Sequence, residues 1–166
     1  METRPPIDEL KEFVSPTVGR LTFGQLMDRV IGFVEEDPER KYRLIVGTDS
    51  QPGDTTSFVT AVVVHKLGKG GRYFYKKLLE RKMDSLRQRI FYETAMSLEL
   101  AHRVTAELER RGLSDLPVEI HLDVGEVGET RRVIQEVVGM VTGSGFEART
   151  KPDSYGASKV ADKHSK

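Results

Sequence analysis

Apolar residues recur along this chain with two periods, and each change of period marks a new element. Phe23, Leu26, Met27, Val30, Ile31 and Val34 follow helical spacing behind Thr22, a good N-cap, and Asp37-Pro38 ends the pattern. Tyr42 to Asp49 reads as a strand around the apolar run Leu44, Ile45, Val46. Thr56 to His65 reads as a second strand, apolar on both faces and therefore interior, and Arg72 to Leu79 as a third beyond Gly68, Gly70 and Gly71. The short, turn-rich links between these three imply an antiparallel meander.

The period then lengthens. Ser85 to Arg111 forms a long amphipathic helix stopped by Gly112. At about 100° per residue, Ile90, Leu98, Ala101, Val104 and Leu108 share one side while Glu99, Arg103 and Arg110 lie opposite. Glu93 falls on the flank of the apolar side, near Ser97, Leu100 and Val104, so it is the carboxylate of this helix that looks at the sheet. Pro117 to Asp123 is a fourth strand, Thr130 to Val141 a helix, Phe146 to Lys151 a fifth strand, and 154–166 a short polar tail of helical character. Residues 1–20, with Pro5, Pro6, Pro16 and Gly19 and no sustained period, read as an extension laid over a single domain that spans 21–166.

Three antiparallel strands followed by helix, strand, helix, strand, helix is an α/β order. Strand-helix-strand links are right-handed parallel crossovers, so strands four and five join a mixed five-stranded sheet with helices on both faces and an N-terminal helix ahead of it. This is the order of the ribonuclease H fold, and a fold by itself does not license a function.

Composition narrows the chemistry. A chain of 166 residues buries an adequate core without staples, and the absence of Cys removes thiolate chemistry, zinc-thiolate clusters and redox switching. No run of about 18 apolar residues occurs and the N-terminus lacks a signal-peptide core, so the expected setting is cytoplasmic, without a membrane partner. With 26 basic and 26 acidic residues, bulk charge does not announce a polyanionic partner. Its distribution says more: from Lys66 to Arg89 nine basic residues, among them Lys76, Lys77, Arg87 and Arg89, stand against Glu80 and Asp84. That stripe is a candidate phosphate-facing surface for nucleic acid, competing with an ordinary solvated face.

The acidic residues carry the sharper signal. Asp49 closes the first strand in GTDSQ, Glu93 flanks the long helix, Asp123 ends the fourth strand, and Asp153 precedes the last helix, with Asp162 competing for the fourth place. If strands one and four are parallel neighbours, Asp49 and Asp123 emerge side by side, where like charges repel unless a cation sits between them. Oxygen ligands without Cys favour magnesium or manganese, and two such ions about 3.5 to 4 Å apart suit phosphodiester hydrolysis. Each member also has a structural role open to it. Asp49 can make a turn or cap a loop, Glu93 can pair with Arg89, Asp123 can form a turn, and Asp153 can cap a helix. His164 is a candidate proton shuttle, or a solvated terminal side chain.

GTDSQ, LRQRIFYETAMSLELA, IHLDVG with its GET loop, and the block VVGMVTGSGFEARTKPDSYGASKVADKHSK resemble the YkuK family of predicted ribonuclease-H-like nucleases from about residue 20 onward. The last block is also similar to the closing motif of type 2 ribonucleases H, where an Asp precedes a small-residue helix. By that similarity Asp153 takes the fourth carboxylate, with Asp162 in reserve. Asp49 then matches the first-strand Asp, Asp123 the fourth-strand Asp, and Glu93 the helix Glu of type 1 enzymes. This chain carries Thr-Asp-Ser where type 2 enzymes carry Asp-Glu, so the resemblance does not extend to their junction-ribonucleotide specificity.

The expected function is therefore a nuclease acting on RNA, RNA:DNA hybrid or DNA through two magnesium or manganese ions held by Asp49, Glu93, Asp123 and Asp153. Lys151, Lys159 and Lys163 join the basic stripe as backbone contacts. The competing expectation is a nucleic-acid-binding module that keeps the fold without turnover. An actin-like ATPase is a poor third, because such proteins clamp nucleotide between two domains of this kind and this chain has room for one.

Overall fold

The computed structural model describes residues 10–124, 131–151 and 164. In chain order the elements are β1 (Phe13–Ser15), β2 (Gly19–Leu21), α1 (Phe23–Glu35), β3 (Tyr42–Gln51), β4 (Thr55–Lys66), β5 (Gly70–Arg81), α2 (Leu86–Arg110), β6 (Val118–His121), α3 (Arg131–Gly143) and β7 (Glu147–Arg149). Local chemistry explains their ends. Thr22 and Gln25 form a reciprocal capping box at the start of α1, with bonds of 3.1 and 2.9 Å. Ser85 caps α2, and Gly112, at φ 77°, supplies the left-handed residue beyond its last turn. No helix among the described residues is long and apolar enough to cross a membrane.

Seven described strands form one mixed sheet in the order β2-β1-β5-β4-β3-β6-β7. The meander β3-β4-β5 is antiparallel, β6 joins β3 in parallel, and β7 joins β6 in parallel. Those pairings agree with the crossovers expected from the element order. The strand count does not, since five were expected and two more are present, β1 within the residues read as an extension and β2 running one residue past them. Phe13 is fully buried and Leu21 nearly so, and the Phe13 and Phe23 rings sit 6.1 Å apart. Strands of three residues around Pro16 and Gly19 are too short to show a period, so only the packing reveals them. The expected boundary at residue 20 falls inside β2, one residue before its end.

Helices were expected on both faces, and the three described ones, α1, α2 and α3, all pack on one, against Leu44, Val46, Val62, Val64, Phe74 and Ile120. Ile45, Val59 and Ala61 form a smaller cluster on the opposite face, with Val63 and Tyr75 against it. The expected last helix lies outside the described residues apart from His164, which is helical and stacks on Tyr75 at 4.0 Å between ring centroids. Arg103, expected on the solvated side of α2, lies over the Phe23 ring and bonds Glu12, because α1 and the N-terminal hairpin cover that side.

Candidate functional site

Asp49 is not the last residue of its strand, as expected, but pairs with Val59 two positions before β3 ends at Gln51. It is 9% exposed, a costly place for a carboxylate. The neighbours on either side of it face α2. Thr48 Oγ1 shares hydrogen bonds with Ser97 Oγ at 2.7 Å and Thr60 Oγ1 at 3.1 Å, and Ser50 Oγ donates to Glu93 Oε2 at 3.1 Å. Alternation along the strand then turns Asp49 to the other face, that of Ile45 and Val59.

The parallel pairing sets the second carboxylate. Ile45 lies level with Glu119 and Gly47 with His121. Carried two residues past its last pair, the same register would bring Asp49 level with Asp123. Asp123 lies beyond the end of β6, not within it as expected. It is still held in place, since Leu122 N bonds Arg149 O at 2.8 Å and Lys151 N bonds Val124 O at 3.0 Å.

Glu93 completes the described group from the helix side. It lines one small cleft with Thr48, Ser97, His121 and Asp123, whereas Glu99 is exposed, as the helical phase required. Burial is the main cause that pushes the Glu93 carboxyl up to about 8, followed by the charge of Asp49. Asp123 adds to the rise, while the Ser50 hydrogen bond and the Arg89 charge oppose it. Burial and the neighbouring carboxylates thus favour the protonated form of Glu93. No ion pair joins it to Arg89 among the described residues, so the helix-surface role open to it in the sequence is not the one it takes.

Crowded hard-oxygen donors of this kind suit a divalent cation, which would offset the repulsion that raises Glu93. Among the described residues, however, no group of three His, Cys, Asp or Glu side chains closes into a metal site. Asp153 and Asp162, expected as the fourth ligand and its reserve, lie outside the described residues, as do Lys159 and Lys163. His164 bonds Tyr73 Oη at 3.4 Å and stacks on Tyr75. Tyr75 aligns through Ala61 with Gly47, two strands away or about 10 Å across the sheet.

The basic stripe proves not to be one surface. Lys76 and Lys77 are consecutive in β5 and so take opposite faces. Lys76 Nζ lies over the Phe13 ring at 5.5 Å, and both lysines line a groove with Glu12 and Glu99. Lys66 pairs with Asp37 and Arg72 lies over Phe33, at the end of the sheet where β3 begins. The seven residues from Tyr42 to Asp49 put them roughly 23 Å from the carboxylates. Arg87 is held by Glu136 at 3.0 Å, and Lys151, expected to meet nucleic acid, sits 2.9 Å from Asp123.

Three groups went unrecognised in the sequence. Ser50 was one, although a polar residue at a position matching core-facing Leu44 and Val46 is a legible sign of a polar partner on the helix. The Lys151 to Asp123 pair was another. The third is a buried network on the second face, where Glu119 accepts from His121 Nε2 at 3.1 Å and faces Arg43 at 3.6 Å. Arg43 Nε in turn donates to His65 Nδ1 at 3.5 Å.

The family model described as Ribonuclease H-like matches residues 25–166. The chain is 39% identical over 167 aligned positions to the uncharacterized protein YkuK of Bacillus subtilis strain 168, covering 93% of this chain and 96% of that protein. No solved structure matches.

Proposed function

Because this chain belongs to the ribonuclease H-like family, we propose that it is a divalent-metal-dependent nuclease that hydrolyses phosphodiester bonds of RNA, RNA:DNA hybrid or DNA. What supports the reading is that Glu93 and Asp123 line one cleft and that the charges of Asp49 and Asp123 both push the Glu93 carboxyl up. In this reading Asp49, Glu93, Asp123 and Asp153 would hold two magnesium or manganese ions, with Asp162 in reserve. Bound there, the ions would supply Lewis acidity to activate a water and stabilise the leaving oxygen.

The chain's own residues do the rest. Ser50 orients the Glu93 carboxylate and keeps it from rotating away. A cation held there would displace the proton that burial favours on Glu93. Lys151 neutralises part of the charge on Asp123 and is placed to move to a phosphate. Lys77, with Lys76 on the opposite face of β5, holds the backbone without reading sequence.

The test is cleavage of labelled single-stranded RNA, DNA and hybrid duplexes with manganese, using wild type, Glu93→Gln and Glu99→Gln. Loss of cleavage in the first variant and near-normal cleavage in the second supports the reading. Equal effects of the two, or no cleavage of any substrate by wild type, rejects it. In the latter case metal-independent binding of the same oligonucleotides marks a binding module.

A further inference from the structure

Most cations of the stripe between Lys66 and Arg89 have an internal occupation. Lys66 is taken by Asp37, Arg72 lies on Phe33, Lys76 lies on Phe13, Lys82 meets Asp84 at 4.0 Å, and Arg87 meets Glu136. Arg89 differs. Its Nε is buried, and no hydrogen-bond acceptor reaches it. Its side chain is only partly covered, on a helix whose next turn carries Glu93.

Residues four apart on a helix are neighbours on one flank, so Arg89 and Glu93 present themselves to the same space. Arg89 nevertheless acts on Glu93 only through its charge, as the least of the five influences on that carboxyl. A buried guanidinium donor without an acceptor is a costly arrangement that native proteins rarely keep. The buried Nε is out of a ligand's reach, but the rest of the guanidinium is only partly covered and makes no hydrogen bond or ion pair with another described residue, so it suits an acceptor that tolerates the negative charge of Glu93 nearby. A phosphodiester oxygen has that chemistry, and a guanidinium offers it a planar, charge-assisted fork that an ammonium lacks.

We propose that Arg89 is the residue of this chain that donates to a non-bridging oxygen of the phosphodiester at the Asp49, Glu93 and Asp123 cluster, an assignment that rests on the nuclease reading. The substrate backbone then passes the first turn of α2 and the end of β3. Specificity at this contact is for phosphate and not for base.

The experiment compares wild type, Arg89→Met, Arg89→Lys and, as a control for lost surface charge, Arg29→Met on the exposed far side of α1. Binding of a labelled panel of RNA, DNA and hybrid oligonucleotides is measured with manganese across a salt series, with KM, kcat and melting temperature for each protein. Arg89→Met is expected to weaken binding of every oligonucleotide by about tenfold and to reduce the salt slope by about 0.7 to 0.9. Its KM should rise more than its kcat falls, and its melting temperature should hold or rise, because the orphaned donor is gone. Arg89→Lys should recover part of the affinity, and Arg29→Met should behave as wild type. If wild type cleaves and Arg89→Met keeps its affinity and salt slope, the assignment of Arg89 falls while the nuclease reading stands. A parallel fall in melting temperature and affinity also overturns it, since that is a packing role. If wild type neither binds nor cleaves any member of the panel, the nuclease reading fails and takes this assignment with it.

Discussion

Ser50 Oγ meets Glu93 Oε2 at 3.1 Å across 43 positions of sequence, and one step deeper Thr48 Oγ1 meets Ser97 Oγ at 2.7 Å. The two bonds are commensurate. Two residues of strand advance about 6.6 Å and four residues of helix about 6 Å, so β3 and α2 stay in step as they run past each other in opposite directions. This match delivers a carboxylate from a helix to the level of one on a strand.

The proton on Glu93 makes stability depend on pH. An acid whose folded value is raised from 4.5 to about 8 takes up a proton on folding, so its neutral form supports the fold fully below 4.5. That support is lost as pH rises through about 8. In chelator, wild type should lose melting temperature between pH 5 and 8.5 more steeply than Glu93→Gln, which should be on the order of 2 kcal/mol more stable at the upper end. At roughly 2–4 °C per kcal/mol, thermal scans resolve the difference. Parallel curves for the two proteins would show that Glu93 is ionised throughout.

Metal should stabilise the native state alone and raise the melting temperature, by roughly 2.7 kcal/mol in stability at a hundred times the dissociation constant. Asp49→Asn removes one of the repelling charges. It should melt higher than wild type in chelator and gain less from manganese. Calorimetry at pH 7 in buffers of different ionisation enthalpy should also report proton release on manganese uptake by wild type, and none by Glu93→Gln. A wild type that manganese leaves unchanged at ten millimolar (an assay choice, about the top of a useful range) rules the site out.

Lys151 competes with any cation for Asp123. Its side chain is 58% exposed, so the pair adds little to stability and Lys151→Met should shift the melting temperature by less than about 1 kcal/mol equivalent. Manganese affinity should instead increase severalfold. Unchanged affinity, read by manganese electron paramagnetic resonance, would mean that the pair does not guard the site.

The N-terminal hairpin belongs to the sheet. Phe13→Ala empties a fully buried position and should cost about 3 to 5 kcal/mol, and removal of residues 1–20 should cost more. Urea denaturation measures both. If the truncated chain melts as the full chain does, β1 and β2 are ornaments on the edge of β5.

Local chemistry alone specified much of this molecule. The 3.6-residue period from Ile90 to Leu108 placed α2 and turned Glu93 inward and Glu99 outward, because helical phase is a property of the backbone. Thr22, Ser85 and Gly112 marked the ends of helices for the same reason. Long strands with continuous apolar runs announced β3 and β4, and chain order announced the parallel step to β6.

Packing decided the rest. Phe13 and Leu21 became strand residues only by burial against α1 and β5, which no three-residue window encodes. All three described helices chose one face because their apolar stripes could be buried together there. The nine cations of the stripe look continuous in the sequence, yet strand alternation and nearby acids divide them until Arg89 alone has a buried Nε without an acceptor. The raised Glu93 carboxyl arises from residues 49, 93 and 123, whose mutual approach is a property of the sheet register and of no segment by itself.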